Sequence, residues 1–163
     1  SSTTATLVMG DALAVTLMKL RDFKEENFAK FHPGGSLGRR LLTTVGDVMK
    51  KKNLPIISSQ ATIKEVIQRI SEGKLGLVVI IDNNKIMGII TDGDIRRTME
   101  SREKDFFNLK AEDLMSNHPK LIYESDKLIS ASNIMSQHKI NSLLVVNESN
   151  DLVGVVQVYD LGV

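Results

Sequence analysis

The chain has no cysteine and no tryptophan among its 163 residues, only three prolines, and 4% aromatic residues. Without cysteine it forms neither a disulfide framework nor a thiolate metal site. That fits a reducing compartment, and a cytoplasmic location is expected. Net charge is also scarce: 21 basic against 20 acidic residues leave +1. No field of one sign therefore points to nucleic acid or an anionic membrane. Lys50-Lys51-Lys52 is the one basic run, and it ends a predicted short helix, where cations suit the dipole. Long apolar runs are missing as well. None approaches the ~20 residues needed to span a bilayer, and no signal peptide is visible. The chain opens on Ser1-Ser2-Thr3-Thr4 with no initiator methionine, so a fragment of a longer protein is expected.

What is present is a repeat. Asp47-Val48-Met49 recurs as Asp113-Leu114-Met115, and the Gly88–Asp94 stretch recurs as Gly154–Asp160, both 66 positions on. That spacing exceeds the ~20–50 residues of solenoid units. It marks a duplicated α/β module, and two such modules facing each other would leave a cleft between them. Hydrophobic residues make up 42% of the chain, enough for a core.

Residues 1–43 read as helical, with a helix near 24–30 stopped by His32-Pro33-Gly34-Gly35 and a short one capped by Ser36. In the first copy Thr44 caps a short helix, Val45–Lys50, and 55–58 is a short strand. Residues 62–73 are amphipathic, with Ile63, Val66, Ile67 and Ile70 on one stripe. Leu75–Ile81 is almost wholly apolar, as in a strand buried on both faces. Asp82-Asn83-Asn84 turns the chain into a strand over 85–91, followed by a helix over 93–100. Phe106 and Phe107 are expected to pin the connector into a groove. The second copy repeats this order through strands at 140–147 and 152–158, and stops where its last helix should begin.

The β-α-β-β-α duplication, with Gly88-Ile89-Ile90-Thr91-Asp92-Gly93-Asp94 at the strand-to-helix junction, resembles a tandem pair of cystathionine-β-synthase (CBS) domains. The fold class expected is α/β of the α+β kind. The opening segment narrows the resemblance. Gly10-Asp11-Ala12-Leu13-Ala14, His32-Pro33-Gly34-Gly35-Ser36 and Thr91-Asp92-Gly93-Asp94-Ile95-Arg96-Arg97 are similar to segments of D-arabinose-5-phosphate isomerases, where a sugar isomerase (SIS) domain precedes a CBS pair. The resemblance implies three parts: 1–43 as the end of the SIS domain, 44–104 as the first CBS domain and 105–163 as the second. It implies isomerisation of D-ribulose 5-phosphate to D-arabinose 5-phosphate, feeding Kdo and lipopolysaccharide or capsule synthesis. His32 matches the family's active-site histidine. The family's lysine, carboxylates and phosphate-binding loop lie upstream of residue 1, so this chain alone is expected to be inactive.

The resemblance also implies a ligand site. No cofactor is required; a regulatory adenine nucleotide or CMP-sugar is the expected ligand. Gly88 would let it approach the backbone, and Thr91 and Asp92 would meet a phosphate at a helix start. Asp94 would hold ribose hydroxyls, while Ile56, Ile57, Leu121 and Ile122 would flank the bases. In the second copy Asp160 is kept, but Gln157 stands in the place of Thr91, so the first site should be the better one. Read without the resemblance, Thr91 and Asp92 simply cap a helix. Self-association of CBS pairs is the other expected partnership, as a dimer here and a tetramer in the parent. A purely bracing role for the pair therefore stands beside the regulatory one. His118 and His138 lack metal-ligand spacing.

Overall fold

The computed structural model describes residues 2–24, 27 and 36–162. Helix α1 (Ser2–Leu20) is followed by the short helices α2 (Ser36–Leu42) and α3 (Val45–Val48). Next come β1 (Ile56–Ile57), α4 (Ile63–Gly73), β2 (Leu77–Asp82), β3 (Lys85–Thr91) and α5 (Asp92–Ser101). After a 3-10 turn at Phe106–Asn108, the second copy gives α6 (Ala111–Leu114), β4 (Ser116–Asn117), β5 (Leu121–Tyr123), α7 (Leu128–His138), β6 (Ser142–Val146) and β7 (Leu152–Gln157). A 3-10 turn, Val158–Leu161, stands where the last helix was expected to begin.

The apolar run at 75–81 explains the layering. Successive residues of a strand face opposite sides, and here both sides are covered. Val78 and Ile80 join Ile63, Val66, Ile70 and Ile90 in a first core under α4. Leu77 and Val79 face the other way and meet Leu144 and Val155 in a seam between the repeats. In the second copy Leu143 and Val145 pack on Leu128, Ala131 and Met135 in a second core.

The sheets run in the orders β1-β2-β3-β4 and β5-β6-β7. In each copy the first strand is parallel to the second, and the second and third form an antiparallel hairpin. The first hairpin turns on Asn83 and Asn84, both at positive φ (49° and 60°), as a two-residue turn matched to strand twist requires. The second turn is one residue longer and is held by Asn147 Oδ1, which accepts from the amides of Ser149 and Asp151 at 2.9 Å. The repeat is thus 66 apart at its ends and 65 apart in its middle, where Ile63 answers to Leu128.

One feature of the pairing is absent from the sequence pattern. The segment after each short helix pairs with the last strand of the other copy: Ser116 and Asn117 with Ile89 and Gly88, and Lys50 with Val155. The short helices cross too. Val45 and Gly46 donate to the carbonyls of Asp126 and Glu124 at 2.8 Å, and Val45 and Met49 enter the second core. Ala111 and Glu112 donate to Ala61 and Ser59, and Ala111 and Leu114 enter the first core. The linear modules 44–104 and 105–163 therefore do not coincide with the two cores.

Crossing requires glycine at the crossing points. A β-carbon on Gly154 would lie 2.5 Å from the Met49 sulfur and 2.9 Å from the Lys50 carbonyl oxygen; on Gly88 it would lie 2.7 Å from the Ser116 carbonyl oxygen. Methionine can yield, but a paired backbone carbonyl cannot. Gly154→Ala should therefore cost about 1–3 kcal/mol, the usual range for overpacking. Urea denaturation checks this, and an unchanged midpoint would contradict it.

Two expectations need correction, and a third lies outside the described residues. Phe106 is 1% exposed, but Phe107 is 75% exposed; adjacent residues of a tight 3-10 turn point about 120° apart, so only one reaches the core. The helix expected near 24–30 and the His32-Pro33-Gly34-Gly35 stop lie almost wholly outside the described residues. Finally, α1 is long and apolar enough by length and composition to cross a membrane, although polar residues interrupt its apolar run. Asp11 lies in its middle, and a carboxylate at a bilayer centre costs several kcal/mol. None of the described side chains of α1 is buried. By contrast α2 is docked on the second copy: Arg40 bonds Ser132, and the Lys127 ammonium donates to the Leu42 carbonyl at 2.8 Å.

Helix starts depend on carboxylates. Hydroxyl and amide bonds from Thr44 hold the Asp47 carboxyl below its ordinary 3.8. The Thr62 amide and hydroxyl do the same for Glu65, ordinarily 4.5, and Ser59 and Ser58 for Asp82, ordinarily 3.8. A lowered folded-state value means stability that is present in full above the ordinary value and lost as pH falls through the lowered one. Thermal stability should thus be flat in its carboxylate contribution above about pH 5 and decline below about pH 4. Scanning calorimetry across that window tests this; a decline already complete at pH 5 would contradict it.

Candidate functional site

The junction of β3 and α5 brings Thr91, Asp92 and Asp94 together. Asp94 Oδ2 accepts from the Thr91 amide at 2.8 Å and from the Thr91 hydroxyl at 2.7 Å, and the hydroxyl accepts from the Asp94 amide at 3.3 Å. This is a reciprocal capping box. The same reach-back is made by Asp47 to Thr44, Glu65 to Thr62, Asp113 to Lys110 and Asp160 to Gln157. Capping is therefore the everyday work of this motif.

Asp94 differs in its second oxygen. Oδ1 accepts from Arg97 Nη2 at 2.6 Å, in a pair whose side chains are 13% and 71% exposed for Asp94 and Arg97. The Arg97 side chain curls back over the first turn of α5, with Nη1 3.2 Å from where a β-carbon on Gly93 would sit. Asp92 points elsewhere. Its amide donates to the Gly76 carbonyl at 3.1 Å, and its Oδ2 lies 3.1 Å from the β-carbon position of Gly76, a residue at φ +64°.

The second junction is built differently. Gln157 donates its backbone amide to Asp160 Oδ2 at 2.8 Å. Its side-chain amide donates to the Ser142 hydroxyl and, across the seam, to the Leu75 carbonyl, both at 3.0 Å. The long amide thus reaches into the other repeat. Tyr159, largely exposed, stands at the position of Gly93.

Strand register sorts the remaining expected residues. Ile56 aligns with Val79 and Ile89, on the seam face, as Thr91 does by pairing with Leu77. Leu121 aligns with Leu144 and Val155 on the corresponding face. Ile56 and Leu121 are both exposed and can present apolar side chains. Ile57 is half-buried against the first core, on the face away from the seam, and Ile122 is buried in the second, so at the seam these two can offer only backbone. The close approach expected of a ligand at Gly88 is made by Ser116 and Met115 of the chain itself. His32 lies outside the described residues. Surface clefts among the described residues lie elsewhere, among them one of about 310 Å³ rimmed by Tyr123, Glu124, Asn147 and Glu148 and one of about 410 Å³ between Ile57 and the Glu65–Glu72 face of α4. Their carboxylates disfavour an anionic occupant.

Arg97 and Gln157 are the residues whose roles the sequence reading did not assign. Asp94 and Arg97 are three apart on a helix, which is the spacing of side-chain partners, so the first was visible in principle. The Gln157–Leu75 bond spans 82 positions and carries no local signal.

A paired α/β module with capped strand-to-helix junctions facing a shared seam is the architecture of a CBS pair. The CBS domain family model matches residues 45–101 and 111–161, and the chain belongs to that family. Among solved structures it is similar to a CBS domain protein from Pyrobaculum aerophilum complexed with AMP, at TM-score 0.65 and 24% identity, over 72% of this chain and 89% of that one. At that identity the likeness is one of fold.

More particularly, the chain is similar to arabinose 5-phosphate isomerases. It is 43% identical over 157 residues to a probable arabinose 5-phosphate isomerase of Haemophilus influenzae, covering 96% of this chain and 46% of the relative. It is also 43% identical over 161 residues to arabinose 5-phosphate isomerase KpsF of Escherichia coli, covering 98% and 49%. The chain spans about half the length of the curated relatives it matches.

Proposed function

We propose that this chain is the ligand-sensing part of an arabinose-5-phosphate isomerase. The parent would interconvert D-ribulose 5-phosphate and D-arabinose 5-phosphate in the cytoplasm, and the CBS pair would bind a nucleotide or nucleotide-sugar at the Thr91–Asp94 corner. The observation that carries this reading is the asymmetry of the two junctions. Gln157 spends its amide across the seam, whereas Asp94 keeps one carboxylate oxygen engaged only by the exposed Arg97. Ile56 and Leu121 supply the exposed apolar surface that a base would need. Calorimetric titration of the chain with AMP, ATP and a CMP-linked sugar tests the reading, which requires saturable binding of at least one.

A bracing role is the second reading, favoured by the equivalence of Asp94 to Asp47, Glu65 and Asp113 as cap residues. On that reading the pair self-associates and supports the rest of the protein with no ligand at all.

Residues 1–43 are assigned to the end of the SIS domain. Leu7, Val8, Met9, Leu13 and Leu20 of α1 are all exposed, and that much apolar surface on one helix belongs in a packed interior. The chain on its own should turn over no pentose 5-phosphate, whatever His32 contributes in the whole protein. A coupled isomerase assay checks this, and turnover above that of a His32→Ala control would contradict it. In the whole protein the same substitution should lower kcat by roughly 10²–10⁴, as loss of an acid–base group does.

A further inference from the structure

We propose that Arg97 makes the Thr91–Asp94 corner selective for phosphorylated ligands, by exchanging partners when a ligand arrives. The proposal rests on the nucleotide reading above and adds to it a residue and a rule of selection.

The argument begins with Asp94. Its Oδ2 is committed to the Thr91 amide and hydroxyl, and releasing it would uncap α5. Only Oδ1 is open to a ribose diol, and Oδ1 is held by Arg97 at 2.6 Å. A ribose hydroxyl can reach that oxygen only if the guanidinium withdraws. Withdrawal is cheap in itself, because Arg97 is 71% exposed and exposed ion pairs contribute little. It does leave a cation with no partner beside the first turn of α5, over Gly93. A ligand that carries a phosphate supplies a new partner at that spot, and guanidinium–phosphate contacts are among the stronger hydrogen bonds. A nucleoside supplies none. The ion pair thus acts as a gate that a nucleotide opens with compensation and a nucleoside opens without it. Gly93 fits the scheme, since any side chain there would contest the space in which the guanidinium lies. In the second copy the position of Arg97 is occupied by Val163; the guanidinium near that junction is Arg39 of α2, which lies against Gly162, and no ion pair between it and Asp160 is formed among the described residues.

The test compares AMP with adenosine, and CMP with cytidine, by calorimetry on the chain as it stands and on its Arg97→Gln and Arg97→Lys variants. In Arg97→Gln, affinity for the nucleotide should fall about tenfold or more, while affinity for the nucleoside should hold or rise. Arg97→Lys, which keeps the charge but not the fork, should recover part of the preference. Equal changes for nucleotide and nucleoside, or no change for either, would overturn the role of Arg97 while leaving the nucleotide reading intact. If the unsubstituted chain bound none of the four, both would fall together.

Discussion

Replacing Val79 by Asp is expected to leave a chain whose two copies still unfold together, at a much lower temperature. Val79 is fully buried and belongs to the seam where Leu77, Leu144 and Val155 meet. A carboxylate there would face hydrocarbon from both copies and find no donor. Unpaired buried charge is among the few single changes that cost ~4–5 kcal/mol, a large part of the 5–15 kcal/mol that typical domains possess. Because the seam is shared and the short helices are exchanged, the loss should not stay in the first copy. The far-ultraviolet signal should show both repeats melting early and together. A Tm within a few degrees of the parent chain would mean that Val79 is not between the sheets. Two separated transitions, one unshifted, would mean that the repeats fold independently.

The second large effect is on binding. Asp94→Ala should weaken nucleotide affinity about tenfold to a hundredfold, since a hydrogen bond to a charged group contributes ~1.5–3 kcal/mol and each decade is ~1.4 kcal/mol. It should also cost about 1 kcal/mol of stability through the lost cap. Asp47→Ala serves as the control, because Asp47 makes the same bonds to Thr44 at a junction away from the corner. It should reproduce the stability loss and leave affinity alone. Asp160→Ala should fall between them, with a small effect on binding. If Asp94→Ala behaved like Asp47→Ala, Asp94 would be a cap and nothing more, and the bracing role would stand.

Much of this architecture was legible because the local signals agree. Thr62 and Glu65 announce a capping box, the Ile63–Ile70 stripe gives the helix facing the core, and Asn83-Asn84 marks the tight hairpin. The third strand of the first copy begins and ends where its apolar pattern does, at Lys85 and Thr91. What was not legible is long-range. The exchange of Ser116–Asn117 and Lys50 between the copies is invisible because each segment would fit either repeat equally well by pattern. For the same reason Gly88 read as space for a ligand, when the space is filled by Ser116 and Met115. A one-residue deletion before β5 and a one-residue insertion after β6 cancel, so the two sequence anchors conceal a shift of register between them. In the candidate site, Thr91 and Asp94 were visible as a motif. The division of Asp94 between an oxygen held by Thr91 and one held by Arg97, and the contrast with the second junction, depend on where Arg97 and Gln157 reach, and side-chain reach is not written in spacing alone.

The stoichiometry of nucleotide binding tests the central claim most directly. The two junctions are related by duplication, yet only the first has a short hydroxyl at the strand end and an arginine one helical turn on that is paired with the carboxylate; in the second, Gln157 takes the place of the hydroxyl. Calorimetric titration with AMP or a CMP-linked sugar should therefore give about one ligand per chain, with the binding heat greatly reduced in Asp94→Ala and retained in Asp160→Ala. Two equivalent ligands per chain, or no binding heat with any nucleotide, would contradict it.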